Sequence, residues 1–298
     1  MFKYIKRYWF YALLAPIFML GEACMDLLQP QMMRLIVDEG VLGLSNNHVG
    51  DLHLVISTGL RMIGFVVIGG ICGVLSGVFA NLCSQKFGND VRKACFKQIM
   101  SFSFEQTDDF STGSLVTRVT NDITQVQNLV SQSIRGFVRT FVLFIGGIIC
   151  MFRLDLKFGE IILAALPIVA IIMIYFISKA NPMFNILQKR LDKLNSVMQE
   201  NVTGARVVKA YVREDYEVKR FGKANADLVG TQLGVLKLFA YMTPLMNISL
   251  NLVIVAVIAI GGKRVQLGEI SPGNVMAAIT YISQIFHSVM MMVNIFQT

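Results

Sequence analysis

Six runs of about twenty apolar residues recur along the chain, and they constrain its fold more than any other feature. They fall at about Trp9–Val37, Leu54–Cys83, Ile134–Phe152, Phe158–Ile177, Leu238–Ile260 and Val275–Phe296. A helix rises about 1.5 Å per residue, so each run meets the ~30 Å of hydrocarbon in a bilayer. Lipid offers no hydrogen bonds to a bare backbone, so a segment that crosses it must satisfy its own N–H and C=O groups, as a helix does. The expected fold class is an all-α integral membrane protein with six long transmembrane helices. Composition agrees, since 54% of the 298 residues are hydrophobic and 15% charged, too apolar for a soluble domain of this length.

The formal charge of +8 does not indicate a nucleic-acid partner, because membrane runs divide the basic residues and leave no single basic face. It records topology instead. The connections run Asp38–His53, 84–133, Arg153–Lys157, 178–237 and Gly261–Asn274. Three Lys or Arg precede the first run, five lie in 84–133 and eleven in 178–237, against zero, two and two in the other three connections. The positive-inside rule places the N-terminus and both long connections in the cytoplasm, with the protein multi-pass in the plasma membrane. The N-terminus has the basic start and apolar run of a signal peptide, but the run continues to Val37 without a small-x-small cleavage site, so it reads as the first span. Cys24, Cys72, Cys83, Cys95 and Cys150 form no C-x-x-C pair and read as buried free thiols. No metal site and no catalytic group is expected.

The two long connections are rich in helix formers with regularly spaced apolar residues. Val91, Cys95, Gln98, Ile99 and Phe102 continue the phase of the second span, and Leu115, Val119, Ile123, Val126 and Val130 form a stripe leading into the third. The spans are therefore expected to continue as helices about 25 Å past the bilayer. Each pair of extensions has a tip. In the first, Asp108, Asp109, Phe110, Ser111, Thr112 and Gly113 supply residues that end one helix and start the next. In the second, Gly204 is a break and the run Ala205, Arg206, Val207, Val208, Lys209, Ala210, Tyr211, Val212 is a short helix, valines and Tyr211 to one side and the basic residues to the other.

The spacing of Glu200, Gly204, Arg206, Val208, Lys209, Ala210, Tyr211 and Glu214 resembles the second cytoplasmic loop of ABC exporters. Phe110, Thr112, Gly113, Leu115, Arg118, Thr120, Asn121 and Asp122 resemble the first. The resemblance covers essentially the whole chain, 1–298, and implies the transmembrane domain of a type I ABC exporter, a bacterial multidrug or lipid half-transporter. It further implies a second such subunit, identical or different, with spans four and five crossing to it, and nucleotide-binding domains docked on both tips. ATP and Mg would bind in those domains. The chain contains no G-x-x-x-x-G-K-[ST] segment, and Gly261-Gly262-Lys263-Arg264 lacks its upstream glycine and hydroxyl residue. This chain alone is thus expected not to hydrolyse ATP, and to work as part of a larger transporter or beside a separate ATPase.

Polar residues inside the spans mark the candidate substrate cavity. Glu22 and Asp26 are four apart and share a helix face, and a carboxylate at bilayer depth costs about 2.5–3.5 kcal/mol on insertion scales. Three readings stand for them: lining a watery path that favours cationic or amphipathic substrates, pairing with groups on neighbouring helices, or one of them staying protonated and silent. Gln284, His287, Met291 and Asn294 form one stripe on the sixth span, and Asn247 and Asn251 continue a row from Thr243 on the fifth, either cavity wall or interhelical glue. Gly69, Gly73 and Gly77 are a small-residue seam, Arg34 and Asp38 an ion pair, Pro30 a kink, and Ser271-Pro272 a helix start. Arg118 and Asp122 are solvated helix charge or a stiffening pair. The expected activity is export of drugs, lipids or peptides by alternating access. The rival is a transporter or channel driven by ion gradients through Glu22 and Asp26, and a third reading is a scaffold that binds partners through its tips.

Overall fold

The computed structural model describes residues 4, 6–44, 49–103 and 112–297, with residue 112 and residues 293–297 by backbone alone. Regular structure among the described residues is helical throughout. In chain order it comprises α1 (Trp9–Leu35), α2 (Leu52–Met100), α3 (Thr112–Thr117), α4 (Ile123–Gln132), α5 (Val138–Leu154), α6 (Leu156–Thr203), α7 (Ala205–Ala210), α8 (Glu214–Gln266) and α9 (Pro272–Gln297). Wider π-helical turns follow α1 at Ile36–Val41, join α3 to α4 at Arg118–Asp122 and join α4 to α5 at Ser133–Phe137. By length and composition, six helical segments are able to cross a membrane: Trp9–Val41, Leu52–Met100, Gly113–Leu154, Leu156–Thr203, Glu214–Gln266 and Pro272–Met292. Each of the six apolar runs of the sequence overlaps one of them. The described parts of the long connections are largely helical, α2 alone running 49 residues, but the third segment is not uniform. Its two π-helical turns each rotate the face that a regular 3.6-residue period predicts.

The chain forms two compact units, Met1–Ile162 with Ile254–Thr298, and Leu163–Val253. In the first, Ala15, Met19 and Ala23 of α1, Ala80, Cys83 and Phe87 of α2, Met151 of α5 and Tyr281, Ile282 and Ile285 of α9 are fully or almost fully buried. Side-chain hydrogen bonds reach into neighbouring helix backbones, among them Ser76 Oγ donating to the Ala15 carbonyl at 2.9 Å and Tyr281 Oη to the Leu27 carbonyl at 2.6 Å. The glycine seam of α2 receives α1 and the π-helical turn: a Cβ on Gly69 would stand 3.2 Å from Met25 Cβ, one on Gly73 2.6 Å from Glu22 Oε2, and one on Gly77 3.4 Å from Arg135 Nη1. The Glu22 carboxylate lies in the space that a side chain at Gly73 would take.

At one end of this unit Asp38, 6% exposed, joins α1 to α9. It accepts from Ser271 Oγ at 2.5 Å and from the Gly273 amide at 2.8 Å, and Arg34 Nε lies 3.5 Å away. The Arg34–Asp38 pair is therefore present, and α9 does begin at Pro272, but its cap differs from the expectation. Ser271 gives its proton to Asp38, and the carboxylate takes the first free amide, since a full negative charge is the stronger acceptor at a positive helix terminus. At the other end Tyr8 Oη donates to Asp90 Oδ2 at 2.9 Å and Lys86 Nζ to Tyr11 Oη at 3.1 Å, tying the start of α1 to the far part of α2. That part of α2 packs on α4, where Ser84 Oγ donates to the Gln127 carbonyl at 2.6 Å and Arg92 reaches Thr124 and Gln127. The stripe of Leu115, Val119, Ile123, Val126 and Val130 is covered or half-covered there, with Ile123 at 7% exposure.

In the second unit α6 and α8 approach each other between Met183–Glu200 of the one and Arg220–Phe239 of the other. Met183 Cε stands 3.1 Å from where a Cβ on Gly234 would be, and the Phe184 and Phe239 rings lie 6.1 Å apart. Arg190 and Asp227 approach to 3.1 Å, and Arg220 to 2.6 Å of Glu200. All five cysteines are free, but the expectation of burial holds fully only for Cys83. Cys72, Cys95 and Cys150 are half-buried and Cys24 is exposed, because an apolar run meant for lipid does not tell which face meets protein. Replacing Gly73 with leucine is expected to push α1 from α2 and lower stability by about 1–3 kcal/mol, the range for overpacking. Gly70→Leu, on a side of α2 where a Cβ meets nothing within 4 Å, is the control, and thermal unfolding of the purified variants reads both.

Candidate functional site

The first unit holds a polar cluster between its spans, built on Arg139. This residue sits in the first turn of α5, directly after the π-helical turn Ser133–Phe137. It donates through Nη1 to Glu22 Oε1 and through Nη2 to Asp26 Oδ2 at 2.8 Å. The two acids, one helical turn apart on α1, thus share one guanidinium, whose planar fork presents two donors at once. Gln284 of α9 donates to the Asp26 carbonyl at 3.3 Å and closes the cluster on a third helix. Glu22 Oε2 and Gln284 Oε1 are buried with no hydrogen-bond partner among the described residues. Glu22 and Asp26 are thus paired with a group on a neighbouring helix.

Beside this cluster lies a cavity of about 520 Å3, within the range of small-molecule sites. Ser131, Gln132, Arg135, Arg139 and Thr140 line it from α4, the π-helical turn and α5, and His287, Ser288 and Met291 line it from α9. The stripe expected on the sixth span therefore divides: Gln284 joins the charge cluster, His287 and Met291 form cavity wall, and the Asn294 side chain lies outside the described residues. Asn247 and Asn251 belong to the second unit, where both are exposed and Asn251 Nδ2 donates to the Asn247 carbonyl at 2.9 Å. Sequence reasoning passed over Arg135 and Arg139, although both fall inside the third apolar run. The signal was available, since the cost of a charge at membrane depth that singles out Glu22 and Asp26 applies equally to an arginine.

The second feature is the turn between α6 and α8. Gly204 donates its amide to the Glu200 carbonyl at 2.8 Å and ends α6, and α7 follows at once. The short helix stops at Ala210, two residues before the expected end, because Val212 has φ 52° in the left-handed region and cannot continue it. The Arg213 amide returns to the Val208 carbonyl at 3.1 Å and the Val212 amide to the Lys209 carbonyl at 3.3 Å. This pair of bonds is the Schellman cap, with a β-branched residue where glycine is usual. Lys209 donates to Glu214 at 2.9 Å across the turn and holds that carboxyl below the usual carboxylate range. Val207, Tyr211 and Val212 are 61%, 75% and 80% exposed, and a shallow hollow between Val208, Tyr211 and Tyr216 lies beside them. Of the first tip, Asp108, Asp109, Phe110 and Ser111 lie outside the described residues; α3 starts at Thr112, and Gly113 stands in open space. Arg118 and Asp122 bound a π-helical turn, so their four-residue spacing does not have the alignment of a regular helix.

Two outcomes follow from these arrangements. Arg139→Gln leaves two carboxylates facing each other and is expected to cost about 3 kcal/mol, the low end for a broken buried pair because Arg139 keeps 34% of its side chain open; adding Glu22→Gln and Asp26→Asn should restore much of the melting temperature. Val212→Gly removes the left-handed strain and should stabilise the turn by up to about 1 kcal/mol, seen as slower amide exchange at Arg213.

Comparison with known proteins places this architecture. Residues 12–289 match the family model described as the ABC transporter transmembrane region. An uncharacterized ABC transporter ATP-binding protein of Bacillus subtilis, YfiB, is 35% identical over 283 residues, covering 95% of this chain and 48% of the relative. An uncharacterized ABC transporter ATP-binding protein of Mycobacterium tuberculosis H37Rv is 31% identical over 88% of this chain and 44% of its own length. A protein of Syntrophus aciditrophicus named ATP-dependent lipid A-core flippase is 24% identical over 80% of this chain and 40% of its own. The chain thus spans less than half the length of these relatives. With six membrane-length helices and a family match over nearly its whole extent, the chain belongs to the ABC transporter transmembrane family.

Proposed function

We propose that this chain is the membrane-spanning part of an ATP-driven exporter that moves amphipathic molecules out of the cytoplasm by alternating access. The observation that carries the reading is the turn at Gly204–Glu214. A short helix with exposed Val207, Tyr211 and Val212 is held between two helices of 48 and 53 residues, and its geometry is set by a backbone cap that the Lys209–Glu214 bridge spans. An apolar, rigid tip on long helical levers suits docking to a partner that does mechanical work. In this reading the partner is a nucleotide-binding domain that holds ATP and Mg, and residues 108–113 make the matching contact. The excess of Lys and Arg in 84–133 and 178–237 supports placing both tips in the cytoplasm.

A second subunit of the same kind, identical or different, completes the cavity in this proposal. The name of the Syntrophus relative, a flippase, supports a lipid-like cargo, and the cavity's mixture of Met291, Leu143 and polar groups suits amphipathic molecules generally. An ion-gradient mechanism centred on Glu22 and Asp26 finds less support, because Arg139 already occupies both carboxylates.

Deletion of Ala205–Val212 from the full-length transporter tests the coupling role. Reconstituted in vesicles, the variant is expected to insert at normal levels and to lose ATP-driven transport. Transport at the parent rate would overturn the assignment of this tip.

A further inference from the structure

The charges that face the cavity are opposite in sign to those that mark the spans in the sequence. Glu22 and Asp26 do not line it; they stand behind Arg139, which is bonded to both. The charged side chains in the wall are Arg135 and Arg139, with His287 across from them on α9. Arg135 is exposed and has no ion pair or hydrogen bond among the described residues, and a Cβ on Gly77 would come no nearer than 3.4 Å to it. Thr140, 2% exposed, stands in the same wall with its hydroxyl unpartnered among the described residues. Leu143 and Met291 supply apolar surface. A guanidinium without an intramolecular carboxylate, next to an idle hydroxyl and an apolar wall, is arranged for a ligand that brings its own negative charge and its own tail.

We infer that this cavity binds the anionic head of an amphiphile, a phosphate or carboxylate, with Arg135 as the residue that engages the charge. The inference rests on the exporter reading for its biological use and sharpens it, since the acids alone pointed to cationic substrates. Arg139 has a different part: its two donors to α1 are committed and its charge is answered by two carboxylates, so it positions the wall and leaves Arg135, among the described residues, as the cation free to meet a ligand. The π-helical turn Ser133–Phe137 contains Arg135 and directly precedes Arg139, and its wider winding sets how the two guanidiniums are presented.

Equilibrium binding to the full-length transporter in nanodiscs, without nucleotide, tests the assignment. The probes are dodecyl phosphate, dodecanoate, dodecyltrimethylammonium and inorganic phosphate. Dodecyl phosphate or dodecanoate should bind at least about tenfold more tightly than the cationic analogue, and Arg135→Gln should weaken that binding by about tenfold while Arg135→Lys keeps most of it. The variant removes no internal bond, so an unchanged melting temperature is expected and serves as the folding control. Equal binding of the anionic and cationic probes, an Arg135→Gln variant that binds like the parent, or inorganic phosphate binding as tightly as dodecyl phosphate would each overturn the inference. Binding intact with no ATP-driven transport would count against the exporter reading and leave this site standing.

Discussion

A charged side chain inside a membrane has few partners other than another side chain, and in this protein that requirement converges on Arg139. One guanidinium answers two carboxylates on α1, and the glutamine of α9 binds the backbone beside them. Three spans meet at this point. The approach of α1 to α2 depends on it as well, because the Glu22 carboxylate rests where Gly73 has no side chain. In hydrocarbon, apolar side chains gain little by leaving lipid for protein, so polar bonds and small-residue contacts carry the specificity that a hydrophobic core supplies in water.

The same economy appears at both ends of the first unit. Asp38 spends one carboxylate on a serine, a helix amide and an arginine, and Asp90 accepts from Tyr8 with Arg7 close by. These contacts are local and directional, whereas most of the apolar surface of the spans remains outward, including Leu60, Val74 and Ile171. For a membrane protein such exposure is ordinary, because the surface that would aggregate in water is the surface that lipid covers.

The turn between α6 and α8 follows a different logic. Its ion pairs are exposed and each contributes little, at most about 1 kcal/mol. Its form comes from backbone geometry: a glycine that ends one helix, a valine in the left-handed region that ends the next, and two amides that return to free carbonyls. The valines and Tyr211 are consequently held out rather than folded in. A helix C-terminus closed by returning amides can present apolar groups without fraying.

Much of this was legible in the sequence, and for identifiable reasons. Span number and helical class follow from run length alone, because a bilayer has one thickness and lipid permits one way to close the hydrogen bonds of a single segment. The break at Gly204, the glycine seam and the Arg34–Asp38 pair are local, and local chemistry is read directly from spacing. What lay beyond reach depends on which faces meet. Two acids four apart look alike whether they line water or grip an arginine more than a hundred residues away, and the choice was made by the packing of α1 against α5. A regular helical period also cannot foresee a π-helical turn, which adds a residue without a sequence signature and turns Arg135 and Arg139 with it. Thus composition and periodicity determined that the chain crosses a membrane as helices, while only the tertiary structure decided which charges cancel and which face the cavity, because cancellation needs contact within a few ångströms and contact is set by three-dimensional packing.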